Sequence, residues 1–214
     1  MENYNYLVNE LDYKSLPTFY SMIYIAGTVN KDNEETLKVI RKAREAFPDD
    51  KDLAKSEINA LIRLDRADEA QKELEATIAA EPDNASLRYT LAVMYEELGE
   101  MDKAEEAYLK SLESDPNYSN SVYNVAVIYF NRAVELITAK NNLGISQDDQ
   151  KKAKELEEKI DASLKQALPY WEKFNELQPN DKTALEQLQY IYTQEKKYDK
   201  AEEIGKQLDE MNNN

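Results

Sequence analysis

The sequence predicts an all-α chain built from repeated helix pairs, and three observations carry that prediction. Apolar residues recur at the three-and-four spacing of an amphipathic helix, as in Leu87, Leu91, Met94 and Tyr95, and again in Ala104, Ala107, Tyr108, Ser111 and Leu112. Pro48, Pro82 and Pro116 stand 34 residues apart, and a fixed period of that size marks stacked supersecondary units. Among 214 residues there are only four glycines and six prolines, while Ala, Leu, Glu and Lys are plentiful, a composition that favours helix over sheet.

The stretch 84–115 is the clearest unit. Gly99 ends its first helix and Pro116 bars the second from continuing. The spacing Leu91-Ala92-x-x-Tyr95, Ala104-x-x-x-Tyr108, Pro116 resembles the tetratricopeptide repeat, in which small residues let two helices touch and aromatics fill the gaps. The resemblance implies a right-handed superhelix of helix-turn-helix units, with the first helix of each pair lining a concave groove.

Taken in order, residues 1–16, rich in tyrosine (Tyr4, Tyr6, Tyr13), read as a short helix, an irregular cap or the remnant of an earlier repeat. A helix starts at Ser15, with Pro17 in its first turn and Phe19, Tyr20, Ile23 and Tyr24 on one face. Lys31-Asp32-Asn33 turns into a second helix carrying Thr36, Ile40, Ala43 and Phe47. The proline register then divides 17–214 into units of about 17–50, 51–84, 85–118, 119–181 and 182–214. Ala70 and Leu74 take the Ala104 and Tyr108 slots in the second unit. Val125-Ala126-x-x-Tyr129, Ala167, Trp171 and Pro179 serve the fourth, and Leu188, Tyr192 and Ala201 the fifth.

Pro116 and Pro179 are 63 residues apart, so the fourth unit carries an insertion of 29. Ala133, Val134, Leu136 and Ile137 prolong its first helix, Asn141-Asn142-Leu143-Gly144 breaks it, and Ser146 or Asp148 caps the restart. Ala153, Leu156, Ile160, Leu164 and Ala167 form a stripe on the returning helix. The prediction is an antiparallel hairpin projecting by about 14 residues, roughly 20 Å. Pro169 is expected to interrupt and kink that helix. The insertion followed by Ala167-Leu168-Pro169-Tyr170-Trp171 is similar to tetratricopeptide proteins of Bacteroidetes-type bacteria.

Composition excludes several functions. With 43 acidic against 27 basic residues and a net charge of −16, nucleic acid and anionic membrane are disfavoured partners. No cysteine and no histidine are present, so disulfides, thiolate chemistry, the commonest general base and the commonest metal ligand are all absent. No apolar run approaches the roughly 20 residues that span a bilayer, and the start lacks the pattern of a signal peptide. The chain reads as soluble and cytoplasmic as it stands, and as periplasmic or secreted if a signal peptide has been removed. Acidic pairs such as Glu96-Glu97 and Glu157-Glu158 point about 100° apart on a helix and read as solvated surface. There is no phosphate loop, nucleophile elbow or calcium loop. Neither a cofactor nor a metal is expected.

The candidate partner-binding residues lie on first helices, at positions outside the packing pattern: Lys55, Asn59 and Arg63, then Tyr89 and Val93, then Tyr123, Asn124, Val127 and Asn131, then Tyr190. Tyr89 and Tyr123 occupy equivalent slots 34 residues apart and are expected to form a ladder on one wall. Tyrosine gives large contact area at small entropic cost and has a polar tip, although the same residues can simply cover gaps between helices. In the family's carboxylate clamp, Lys55 and Asn59 would match two of five slots, and Thr90, Asn120 and Asn124 stand where Asn, Lys and Arg are needed. Without those two cations the clamp is not expected. The sequence therefore reads as a non-enzymatic protein-interaction module binding a peptide or extended protein segment. A scaffold or homo-oligomer docking through the projecting hairpin is the alternative.

Overall fold

The structure, a computed structural model, describes residues 15–212, all of whose regular elements are helical. The expected tyrosine-rich cap and the tail at Asn213 and Asn214 lie outside the described residues. Ten α-helices follow in order: α1 (Leu16–Tyr24), α2 (Asn33–Ala46), α3 (Lys51–Arg63), α4 (Ala67–Ala80), α5 (Ala85–Glu97), α6 (Met101–Ser114), α7 (Ser119–Asn141), α8 (Gln147–Leu177), α9 (Lys182–Gln194) and α10 (Tyr198–Asn212). A π-helical turn, Ile25–Val29, extends α1. The chain divides into two compact units, Met1–Pro82 and Asp83–Asn214.

Local chemistry starts and stops each helix. Asp50, Asn84 and Asp181 cap α3, α5 and α9 by accepting from the backbone N–H three residues on, at 2.9, 3.3 and 2.9 Å. Ser146 opens α8 with a capping box completed by Asp149. In four of the five helix pairs, all but α7 and α8, the backbone turns through one left-handed residue: Lys31, Asp65, Gly99 and Lys196 have positive φ, from 54° to 75°. The first three are 34 residues apart and Lys196 follows Gly99 by 97, which is 34 plus 63. After each, the next N–H reaches back to close the turn, as in Arg66 to Leu61, Glu100 to Tyr95 and Lys197 to Tyr192. Asp32 reaches back to Ala26, one residue further, because the π-helical turn holds one residue more.

The small-residue slot of the second helices is sealed throughout: Thr36, Ala70, Ala104, Ala167 and Ala201 are all buried. The bulky slot one turn on holds Ile40, Leu74, Tyr108 and Trp171, none more than 1% exposed. In the first unit Phe19, Met22, Val39, Ala43 and Leu53 form a core that brings α1, α2 and α3 together. In the second unit one continuous core runs from Ala92 to Leu208.

Two sequence expectations are corrected. Tyr24 does not share the buried face of α1, for it is 62% exposed while Phe19, Met22 and Ala26 are buried. The buried set has i, i+3, i+7 spacing, and Tyr24 lies about 140° round the helix from Phe19. Pro169 does not interrupt α8, which runs unbroken from Gln147 to Leu177. Its ring and the side chain of Lys165, one turn back, are both exposed, so the carbonyl that loses its N–H partner is on the solvent side.

Helices α7 and α8 have 23 and 31 residues, against 13 to 15 in α3 to α6, α9 and α10. They form an antiparallel hairpin whose distal part has no buried residue between Val134 and Ala162. Leu136, Ile137, Leu156 and Ile160 are half-buried along its seam, Lys140 pairs with Glu157 across it at 2.7 Å, and Ile145 at the tip is 93% exposed.

Candidate protein-interaction surface

The candidate residues sit on α3 in the first unit and on α5, α7 and α9 in the second. The 34-residue step resolves them into columns. Lys55, Tyr89 and Tyr123 share one slot, Asn59, Val93, Val127 and Tyr190 a second, and Arg63 and Asn131 a third.

On α3, Lys55, Asn59 and Arg63 follow one another at four-residue spacing, so they form one stripe along the helix. Asn59 and Arg63 are exposed, and Lys55 is held only loosely by Asp52 at 3.9 Å. Beneath them lies a feature that the sequence reading missed. Glu57 is 3% exposed, and its two oxygens accept from Arg41 at 2.8 Å and Arg44 at 2.5 Å. Arg41 also pairs with Glu69 at 2.9 Å and Arg44 with Glu73 at 2.7 Å, so α2, α3 and α4 share one charge network. The signal was a Glu standing in the apolar slot of Leu91, Val125 and Leu188. Arg66 and then Arg41 hold the Glu69 carboxyl down at about 2.

In the second unit the structure brings several candidates together. The Tyr89 ring lies 5.7 Å from that of Tyr108 and 5.5 Å from that of Tyr118. Burial pushes the Tyr89 phenol up. Tyr123 turns its ring to α8 and meets Trp171 edge-on at 5.5 Å and Phe174 at 5.0 Å. The two tyrosines therefore occupy equivalent slots but pack on different neighbours. Val93 and Val127 are half-buried against the core, and Asn131 is exposed. Tyr190 meets Phe130 edge-on at 5.8 Å. Phe130 also escaped the sequence reading, although it stands 34 residues after Glu96 on the same helix face.

Deeper tyrosines are tied to carboxylates. Tyr108 donates to Glu96 at 2.7 Å and Tyr192 to Glu172 at 2.6 Å. Burial, followed by these anions, pushes both phenols well above the usual range, so they remain neutral donors. Among the described residues no group of acidic side chains is arranged to hold a metal ion, and no helix is long and apolar enough to cross a membrane.

A tetratricopeptide repeat family model matches residues 56–119. No curated protein matches the chain. A crystal structure of MamA has a similar fold, with a TM-score of 0.60 at 12% identity over 90% of this chain and 88% of that one. A TPR repeats protein from Bacteroides fragilis gives a TM-score of 0.59 at 19% identity, over 90% of this chain and 89% of its own. A monomeric mutant of IFIT1 solved with m7Gppp-AAAA gives 0.53 at 21% identity, covering 96% of this chain but 44% of IFIT1. At these identities the likeness is one of fold. The tetratricopeptide model matches residues 56–119, and the 34-residue backbone register and helix-pair architecture give the chain the all-α fold of a tetratricopeptide-repeat solenoid.

Proposed function

We propose that the chain is a non-enzymatic module that binds an extended protein segment on its first helices. Tetratricopeptide repeats generally mediate protein–protein interaction, and scaffolds of this kind are typically non-enzymatic. One observation carries the reading to particular residues. In a chain one-third charged, Tyr89, Val93, Tyr123, Asn124, Val127, Asn131 and Tyr190 are uncharged, and none is fully buried. Aromatic and amide groups of this kind suit a peptide backbone and apolar side chains. Lys55, Asn59 and Arg63 add a cationic stripe on α3 for an acidic position of the same class of ligand. A nucleic acid like the one in the IFIT1 structure is not proposed, because the second-unit candidates include no cation and the chain carries −16.

The test is selection of a displayed random-peptide library on the intact chain, followed by affinity measurement with Asn131→Ala and Tyr190→Ala. Both side chains are exposed, so folding is retained. A tenfold or greater loss (about 1.4 kcal/mol) supports the reading, and unchanged binding by both variants refutes it. The second reading, docking through the hairpin, is favoured by Ile145, whose side chain is 93% exposed at the tip. Replacing residues 134–159 by a short linker removes no buried side chain. A folded deletion that retains its ligand would exclude this reading.

A further inference from the structure

Tyr190, on the face proposed above, also lines a cleft of about 610 Å³ between the α7–α8 hairpin and the last turns of α9. Pockets that hold a small ligand have volumes of about 300–1,000 Å³. Ile137, Ile160, Leu164 and Tyr190 give the cleft an apolar lining. Leu164 is buried, Ile160 packs on the core, and Tyr190 is left 37% exposed with its ring edge-on to Phe130. The charged lining is uneven. Glu157, Glu158 and Asp161 all come from α8, and the two lysines that face them, Lys140 and Lys196, leave an excess of one negative charge. Lys140 is engaged by Glu157 at 2.7 Å, so Lys196 stands against both Glu158 and Asp161. Glu158 is exposed and makes no ion pair among the described residues. Asp161 holds Lys165, outside the cleft, at 2.8 Å, with both side chains more than half exposed, so that pair is weak.

The same unit shows twice what such a set of groups holds. Lys200 lies over the Tyr192 ring at 5.0 Å and pairs with Glu172 at 3.3 Å. Arg132 lies over the Tyr129 ring at 5.6 Å and pairs with Glu105. In each case a tyrosine ring and a carboxylate seat one basic side chain. The cleft offers the same groups: the Tyr190 ring, and Glu158 and Asp161, which are three residues apart and so neighbours on one face of α8. We propose that this cleft is the specificity pocket of the peptide site and takes a lysine or arginine side chain of the bound segment. The stem lies along Ile137, Ile160 and Tyr190, and the cation reaches Glu158 and Asp161. An acidic side chain in the same place meets three carboxylates and is disfavoured. The inference rests on the reading of the first helices as a peptide site and adds the chemistry of one ligand position.

The test selects a displayed random-peptide library on the intact chain and measures the affinity of one selected peptide, fluorescein-labelled, by anisotropy. Peptides that lose affinity with Tyr190→Ala are expected to share a lysine or arginine at one aligned position. Glu158→Gln combined with Asp161→Asn, both at exposed positions, should weaken such a peptide about tenfold or more. Replacing its basic residue by alanine should cost as much with the wild type and nothing further with the double variant. A chain of net charge −16 draws basic peptides in general, so Glu113→Gln, at an exposed position of α6 outside the cleft, serves as the control and should leave binding unaltered. Three results would each overturn the inference while the peptide reading stands: Tyr190-dependent peptides that share no basic residue, a double variant that binds as the wild type does, or an equal loss with Glu113→Gln. Selected peptides indifferent to both Asn131→Ala and Tyr190→Ala would overturn the reading, and the inference with it.

Discussion

The two units fill equivalent slots with different chemistry. In α3 of the first unit, Glu57 is buried and held by Arg41 and Arg44. In the second unit the same slot holds Leu91, Val125 and Leu188, within a core rich in aromatic rings. The bulky slot likewise holds Leu74 in one unit, and Tyr108 and Trp171 in the other. The helix-pair geometry survives these exchanges because the small-residue slot and the left-handed turn recur in both. What the frame requires is close approach and a chain reversal; the filler need only match the volume and leave no unpaired charge.

That comparison can be broken at four points. The largest effect is expected from Trp171→Ala, which removes a side chain 1% exposed and packed edge-on against Tyr123. A cost of about 3–5 kcal/mol is expected, read from urea denaturation, and a loss below about 1 kcal/mol would mean that the aromatic core is not what holds the second unit.

Ala104→Leu should follow. Ala104 is 0% exposed where α5 and α6 touch, and overpacking costs typically about 1–3 kcal/mol. An unaltered melting temperature would show that this slot does not set the approach of paired helices.

Glu57→Leu puts the second unit's residue type into the first. Arg41 and Arg44 are part-exposed and retain Glu69 and Glu73 as partners, so neither is left as an uncompensated buried charge and a loss under about 2 kcal/mol is expected. A loss of about 3–5 kcal/mol, as when a buried pair is broken, would show that the two chemistries are not interchangeable.

The smallest effect concerns acid. The Glu69 carboxyl is lowered from 4.5 to about 2, mainly by its hydrogen bond to Arg66 and then by Arg41. Its folded value lies below its unfolded one, so its contribution is present above about pH 4.5 and is lost as pH falls toward about 2. The site is exposed and screened, so the contribution is small. Wild type and Glu69→Gln should differ at pH 6 and converge near pH 2 in urea titrations. A difference that is constant with pH would remove the ion pairs as its cause.

Much of the fold could be read from sequence because its determinants are local. Gly99 at a left-handed turn, Asn84 and Asp50 as caps, and the Ala70, Ala104 and Ala201 series are each recognisable from nearby residues. Lys31, Asp65 and Lys196 do the work of Gly99 without being glycine, so the turn is imposed by the helices it joins as well as by the residue in it. The candidate surface was less legible. The 34-residue step places Tyr89 and Tyr123 in one column, but one ring rests on Tyr108 and Tyr118 and the other on Trp171 and Phe174. No spacing rule contains that choice.

By itself the sequence determined the helical class, the repeat period, the long hairpin and the absence of thiol and imidazole chemistry. These follow from backbone hydrogen bonding, side-chain volume and composition, which act over one or two turns of helix. Only the tertiary structure decided which face of α1 is buried, where Arg41 and Arg44 find their carboxylates, and which rings close over Tyr89 and Tyr123. Each of those outcomes depends on residues that are distant in sequence and meet only when neighbouring helices pack, and packing energy belongs to contacts rather than to positions.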